Sequence, residues 1–342
     1  MRQLVSIQKI DALLPIEGAD AIEVARILGW GVVVKKGEFN VGDLCVYFEV
    51  DSFLPINDAR YEFLRKSSYR NNDVMGEGLR IKTVTLRGCL SQGLALPLSA
   101  FPELEGYGLG DEVTKLLGVV KWEMPEISGP AGTQKGNKPF GIPTTDETRV
   151  QSVDALRRDL LGKPYYISTK MDGTSCSIYK IDGQIGVCGR NYEFKDDGTS
   201  IMWKTFYRLG VIDRLKEYPG NIVIQGEFCG PGIQKNRIGL KNYDFFVFNA
   251  FDYNDQMRLM TLDEMTAVCK ELGLTMVPIE ERGDSFNYTL EELLVKATGK
   301  YPSGKDKEGI VIRPLTPFWH KRLNKSLSFK VLNNDFLKKE KD

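Results

Sequence analysis

Ser168-Thr169-Lys170-Met171-Asp172-Gly173-Thr174-Ser175 sets one lysine between a strand-like run and a tight polar turn. Upstream, Pro164-Tyr165-Tyr166-Ile167 is aromatic and β-branched; downstream, Ser177-Ile178-Tyr179-Lys180-Ile181 resumes that character before the hairpin signal Asp182-Gly183. Lys170 is therefore predicted at a strand-to-turn corner. A solvated lysine has a pKa of about 10.4, and an amine in a partly closed pocket beside cations or a metal loses its proton far more easily, so Lys170 is the candidate nucleophile. The string K-x-D-G is weak by itself, and its plainest reading is a hairpin with a surface lysine.

Further short elements follow in a fixed order. Arg190 lies in Cys188-Gly189-Arg190-Asn191, and Glu227 ends the apolar run Ile222-Val223-Ile224-Gln225-Gly226-Glu227-Phe228. Phe248 lies in the aromatic strand Phe245-Phe246-Val247-Phe248-Asn249-Ala250-Phe251-Asp252, Glu308 in Lys307-Glu308-Gly309-Ile310-Val311-Ile312-Arg313, and Lys330 in Ser326-Leu327-Ser328-Phe329-Lys330-Val331. The ordered set resembles the covalent nucleotidyltransferase superfamily of polynucleotide ligases and messenger-RNA capping enzymes, over roughly the last two hundred residues. In that superfamily the motif lysine attacks the nucleotide α-phosphate and forms a lysyl-nucleotide phosphoramidate, the role that falls to Lys170. Only a dozen residues follow Lys330, with no room for the trailing OB domain of DNA ligases and capping enzymes. The nick-sealing RNA ligases known as RNA ligase family 5 place an OB-like module in front instead, and theirs is the resemblance the first 120 residues complete.

That front part reads as a small barrel. Leu4-Val5-Ser6-Ile7, Ile22-Glu23-Val24-Ala25-Arg26-Ile27, Gly31-Val32-Val33-Val34, Leu44-Cys45-Val46-Tyr47-Phe48-Glu49-Val50, Ile81-Lys82-Thr83-Val84-Thr85-Leu86 and Gly93-Leu94-Ala95-Leu96-Pro97-Leu98 are short strands between Gly, Asp and Pro turns. Arg65, Lys66, Arg70, Arg80, Lys82 and Arg87, set against Glu62, Asp73 and Glu77 with Tyr61, Phe63 and Tyr69 interleaved, are candidate nucleic-acid contacts; a solvated loop of slight basic excess is the plain alternative. Leu86-Arg87-Gly88-Cys89-Leu90-Ser91-Gln92-Gly93 is also similar to a segment of OB-type transfer-RNA-binding modules. The fold class expected is α+β: an N-terminal OB-like barrel (1–120), a Pro/Gly-rich linker (121–143) and a nucleotidyltransferase domain of antiparallel sheets flanked by helices (144–342).

With 342 residues, 42% hydrophobic and 27% charged, the chain has ordinary globular composition. Formal net charge is zero, so any positive surface must be local. There is no long apolar run or signal-like start, which points to an intracellular, cytoplasmic protein without membrane partners. The six cysteines lack C-x-x-C spacing and read as buried free thiols rather than metal ligands. A single histidine, His320, excludes multi-histidine metal sites, and its turn-rich surroundings read as a surface loop.

Pro125, Gly129, Pro130, Gly132, Gly136, Pro139, Gly141 and Pro143 punctuate the linker too often for a helix or central strand. Thr144-Thr145-Asp146-Glu147 offers a capping-box start to a short helix striped by Val153, Leu156, Leu160 and Leu161. Residues 201–215 and 261–272 read as amphipathic helices. Cys229-Gly230-Pro231-Gly232-Ile233-Gln234-Lys235-Asn236-Arg237 is glycine-rich and basic but is not a P-loop.

The resemblance implies ATP and Mg²⁺ or Mn²⁺, with Lys170, Glu227 and Lys330 catalytic. It also implies Arg149, Arg190, Phe248 and Asp172 around the nucleotide and Glu227 and Glu308 as metal ligands. Each has a plain counterpart: Arg149 as a helix-surface arginine, Phe248 as core, Asp172 as a turn residue. Many polynucleotide ligases carry two lysines flanking one residue in the last motif; here Ser328 takes the first place, with Lys325 the nearest substitute. The expected activity is an ATP-dependent RNA ligase working through lysyl-AMP on nicked duplex RNA or RNA/DNA hybrid with RNA on the 3′-hydroxyl side, with a monomer favoured. A GTP-using capping-type guanylyltransferase, a non-catalytic RNA-binding protein and a DNA ligase remain as alternatives.

Overall fold

The computed structural model describes residues 3–123, 132–254 and 256–339. They fall into two compact units, one formed by 3–123 with 151–154 and 337–339, the other by 132–150 and 155–336.

The N-terminal unit is built around the strand Leu44–Phe48, which pairs antiparallel with Val5–Lys9 on one side and Leu94–Pro97 on the other. Its alternation is apolar on both faces. Val46 and Phe48 enter one core with Leu54, Tyr61, Leu79 and Phe101, while Cys45 and Tyr47 enter another with Ala25, Trp30 and Val32. A barrel wrapped on both sides of a central strand needs a close approach next to it. Gly93 provides one, since a Cβ there would lie 2.5 Å from the Tyr47 ring. The meander Ala12–Pro15, Ile22–Ile27, Trp30–Lys35, the hairpin Thr83–Leu86 with Cys89–Gln92, and a sheet ordered Val120–Lys121, Ser52–Leu54, Gly76–Arg80, Tyr69–Asn72 complete the unit.

The second unit has two sheets. The larger is ordered Gln134–Asn137, Tyr192–Phe194, Gln184–Cys188, Thr174–Ile181, Ile222–Cys229, Asp244–Asp252, Arg258–Leu259, with Thr275–Met276 added parallel to Asp244–Asp252. The smaller is ordered Thr148–Arg149, Phe329–Leu332, Gly309–Pro314, Tyr165–Lys170, Ile279–Gly283. Helices Ile201–Arg208, Val211–Glu217 and Leu262–Leu272 bury Trp203, Phe206, Leu215, Met265 and Leu272 with Ile224 and Phe245 of the larger sheet. The chain passes between the sheets at Met171-Asp172-Gly173, between Tyr165–Lys170 and Thr174–Ile181, so Lys170 is the last residue of one sheet before the other begins.

Several expectations need correction. Of the linker residues, Pro125, Gly129 and Pro130 lie outside the described residues, and Gln134–Asn137 is no connector but an edge strand on Tyr192–Phe194, where glycines are tolerated. The helix expected over 201–215 is broken at Gly210, whose φ of 68° is left-handed and ends the first turn-run. Helix Ala155–Leu160 does not start from Thr144-Thr145-Asp146-Glu147, because Glu147 is drawn into a buried ion cluster described below. His320 is not a loop residue: it lies in the short hairpin Trp319–His320 with Lys325–Ser326, its ring largely covered, and its Nε2 is 2.8 Å from Asp159 Oδ2. Five of the six cysteines are buried free thiols and Cys89 is half-buried. No helix among the described residues is long and apolar enough to cross a membrane.

Candidate active site

Lys170 pairs across the small sheet with Gly309, which places the preceding Glu308 beside the lysine side chain. Lys170 Nζ donates to Glu308 Oε2 at 2.6 Å. The backbone is fixed there as well: the Tyr301 hydroxyl donates to the Lys170 carbonyl at 2.6 Å and accepts the Glu308 N–H at 3.1 Å. Gly309 is required at this crossing, because its φ is 151° and a Cβ would lie 2.1 Å from the Val331 carbonyl.

The third member comes from the larger sheet. Glu227 faces Ser175 across Thr174–Ile181, just past the turn that follows Lys170. Gly173 allows this approach: a Cβ there would meet the Phe228 carbonyl at 2.5 Å, Cys229 Sγ at 2.6 Å and Glu227 Cγ at 2.9 Å. Burial, reinforced by the Glu308 and Asp172 charges, pushes the Glu227 carboxyl up to about 7 against the pull of Lys170. For Lys170 burial alone would favour the neutral amine, but the carboxylates of Glu308 and Glu227 outweigh it and hold the ammonium above its ordinary pKa. In the ligand-free pocket the charges that act on Lys170 are thus carboxylates, not the cations or metal expected beside it. Two convergent carboxylates suit a hard divalent cation, and the raised Glu227 value marks a charge that such a cation would relieve. No grouping of three or more His, Cys, Asp or Glu that could hold a metal ion occurs among the described residues; Mg²⁺ usually keeps several of its waters and needs only one or two carboxylates.

A cavity of about 280 Å³ opens beside Lys170, lined among others by Glu227, Arg190, Phe248, Val311, Arg313 and Lys330. Arg190 reaches it from the larger sheet and donates to Asp146 Oδ2 at 2.6 Å. Lys330 stands in register with Val311 and, through the parallel pair, with Arg149. Arg149 is not among the lining residues, and neither is Asp172. Asp172 is buried and accepts from Arg237 Nη1 at 2.6 Å, while Gln234 Nε2 donates to the Gly173 carbonyl at 3.3 Å. The glycine-rich loop 229–237 therefore clamps the turn after Lys170. Phe248 is half-buried on the cavity wall with the Arg313 guanidinium 5.9 Å from its ring centre.

Sequence reasoning missed a further anion in the cavity lining, Glu147. Glu147 accepts from Arg313 Nη2 at 2.7 Å, from Lys325 Nζ at 3.3 Å and from the Ser328 hydroxyl. Lys325 also donates to the Asp146 carbonyl at 2.5 Å. Ser328, at the place of a family lysine, thus serves as a donor to Glu147, and Lys325 does approach the site. Burial opposes ionisation of Glu147, yet Lys325, Arg313 and the Ser328 hydroxyl together hold its carboxyl below the ordinary range.

In the N-terminal unit the six basic candidates are not one free patch. Arg65 Nε binds Glu62 at 2.8 Å and its Nη2 the Ile56 carbonyl at 3.0 Å. Arg80 pairs with Asp51 at 3.1 Å and lies 5.4 Å from the Trp122 ring centre. Arg70 donates to the Tyr69 carbonyl at 2.7 Å. Lys66 is exposed on the short helix Arg65–Ser68, Lys82 is half-buried, and Arg87 sits at the exposed turn of the Thr83–Leu86 hairpin with φ of 46°.

An RNA ligase family model matches residues 163–332, the span that holds Lys170, Glu227, Phe248, Glu308 and Lys330. An OB-fold domain model matches residues 4–98, the front barrel. A solved structure of a Naegleria gruberi RNA ligase variant with ATP and manganese is 36% identical over 98% of this chain and 99% of its own, with a TM-score of 0.89. The chain belongs to the RNA ligase family. Two further structures of Naegleria gruberi RNA ligase, one variant with AMP and manganese and one form with pyrophosphate, are each 36% identical over 99% of both chains, with TM-scores of 0.89 and 0.88. For this ligase the α+β expectation, with an OB fold ahead of the sheet-rich half, stands.

Proposed function

We propose that this RNA ligase is ATP-dependent and seals 3′-hydroxyl/5′-phosphate nicks in duplex nucleic acid with RNA on the 3′-hydroxyl side. The observation that carries the reading is the Lys170 Nζ–Glu308 contact beside a cavity lined by Lys170 itself with Glu227, Arg190, Phe248 and Lys330. Lys170 Nζ gives up a proton, for which Glu308 is the adjacent acceptor, and attacks the α-phosphorus of ATP; an N–P bond forms, the bond to the bridging oxygen breaks and pyrophosphate leaves. AMP then passes from Lys170 to the 5′-phosphate, and the 3′-hydroxyl displaces AMP to form the phosphodiester.

Arg190 and Lys330 offset charge on the phosphates, and Phe248 stacks on the adenine. Arg149 supports Lys330 from the neighbouring strand, and Asp172 holds the turn through Arg237. Glu227 and Glu308 would hold Mg²⁺ or Mn²⁺, which when bound supplies positive charge against the phosphate oxygens. The structures of the Naegleria enzyme with ATP and manganese support this choice of nucleotide and metal. The front barrel, divided from the catalytic half within the 121–143 segment ahead of the Gln134–Asn137 strand, grips the duplex through Lys66, Lys82 and Arg87, with Arg65, Arg70 and Arg80 shaping that surface. The buried free thiols suit a reducing cytoplasm, and we take the working form to be a monomer.

The test is the intact mass of the nucleotide-free protein after incubation with Mg²⁺ and either ATP or GTP. One added AMP from ATP alone is expected; a GMP adduct would move the protein to capping chemistry, and no adduct would leave an RNA-binding protein. Gly173→Ala is expected to slow AMP uptake at least tenfold, because the added methyl pushes the Lys170 turn off the Glu227 strand. A time course of adduct formation at saturating ATP checks this, and an unchanged rate would mean the turn relaxes without moving Lys170.

A further inference from the structure

Between the strands Gly309–Pro314 and Phe329–Leu332 the chain makes the small hairpin Trp319–His320 with Lys325–Ser326. Residues paired across a hairpin share a face and neighbours alternate, so His320 and Lys325 lie on one face and Trp319 and Ser326 on the other. The first face is tied down, His320 to Asp159 on helix Ala155–Leu160 and Lys325 to Asp146 and Glu147 at the cavity wall. The hairpin is thereby held at the rim of the nucleotide cavity. Its other face and its turn present Trp319, 65% exposed, beside the exposed Lys321 and Arg322.

A single exposed apolar side chain is ordinary. Here an indole stands on an anchored hairpin with two cations at the tip, next to the site where a polynucleotide end has to arrive. A flat π-face for a base and cations for the neighbouring phosphates are the two elements by which proteins hold unpaired or terminal nucleotides. We propose that this hairpin is a polynucleotide contact: Trp319 stacks on a base of the strand whose end is brought to the cavity, and Lys321 and Arg322 bind its phosphates. The inference rests on the RNA ligase reading for the identity of the ligand.

The experiment compares the full-length protein with Trp319→Ala, Trp319→Phe and a Lys321→Ala/Arg322→Ala double variant. The probe is a labelled nicked duplex with RNA on the 3′-hydroxyl side, titrated at several salt concentrations, with AMP uptake from ATP measured in parallel. Trp319→Ala is expected to weaken binding about tenfold, as loss of one stacked base does, and Trp319→Phe to restore most of it. The double variant is expected to reduce the slope of log affinity against log salt by nearly 2, for two phosphate contacts. AMP uptake stays at the parent rate in all three. Parent-like affinity and salt slope in the variants would overturn the proposal, and so would loss of AMP uptake by Trp319→Ala, which would make the hairpin part of the cavity wall. A parent protein that takes up no AMP would sink the ligase reading, while the binding comparison still decides the hairpin.

Discussion

Lys170→Ala is expected to acquire no AMP however long it is incubated with ATP, and Glu308→Ala to form the adduct about 100-fold more slowly than the parent or worse. The first outcome follows from chemistry alone: the amine held at the corner between the two sheets is removed, and Lys330, in register with Val311, stands a strand away from that corner. The second follows from the resting charge state. Glu308 and Glu227 keep the Lys170 ammonium protonated in the ligand-free pocket, so the attack needs a group to receive that proton, and Glu308 already accepts its hydrogen bond at 2.6 Å. A positioned proton acceptor contributes about 10²- to 10⁴-fold. Glu308→Ala leaves the Tyr301 bridge intact, since that bridge uses the Glu308 backbone N–H and the Lys170 carbonyl. A slow variant with parent-like thermal stability would therefore report chemistry and not disorder. Rapid-mixing time courses read by intact mass decide the matter. An AMP adduct on Lys170→Ala, located on another lysine by peptide mapping, would displace Lys170 as nucleophile, and a parent-like rate for Glu308→Ala would displace Glu308 as acceptor.

What was legible in the chain follows from how locally each feature is encoded. The strands carrying Lys170, Glu227, Phe248, Glu308 and Lys330 announce themselves through aromatic and β-branched runs ended by Gly or Asp, and the structure brings Lys170, Glu227, Phe248 and Lys330 to one cavity, with Glu308 bonded to the lysine. The barrel strands were readable for the same reason, apart from short ones such as Gly76–Arg80, which carries two glycines and little apolar pattern. Glu147 was not readable. Its partners Arg313 and Lys325 lie 166 and 178 residues away, and in one dimension a carboxylate after two threonines looks like a helix cap. Arg313, at the end of an apolar strand, is 5% exposed and donates to Glu147 at 2.7 Å, a pairing that nothing local to either residue announces. The charge on Lys170 escaped too, because a sequence lists a nucleophile without saying which sign of charge folding will set around it.

Glu147→Ala is expected to lower the melting temperature by on the order of 10 °C, the largest stability effect at the site. The reason is the partner left behind. Arg313 is buried, and a buried charge whose counter-ion is removed costs about 3–5 kcal/mol, with roughly 2–4 °C of melting temperature per kcal/mol in a unit of this size. The charge component has a definite pH signature. The folded carboxyl of Glu147 is held below its ordinary range, while the unfolded one titrates near about 4.3. The contribution is therefore fully present above that unfolded value and is lost as pH falls through the lower folded value. The stability gap between the parent and Glu147→Gln should then be constant from neutral pH down to about 5 and close progressively in more acidic solution. A gap that widens in acid would mean that Glu147 is protonated in the native state, and the cluster would have to be redrawn. Replacing both charges, as Glu147→Leu with Arg313→Met, removes the stranded guanidinium and is expected to recover most of the lost stability, since apolar side chains of similar size pack as well as a buried ion pair. The same double variant should still take up AMP poorly, because both residues line the cavity beside Phe248. Thermal melts and adduct mass on one preparation would thus separate what the ion pair does for the fold from what it does for the nucleotide, and recovery of both together would show that the cluster is scaffold alone.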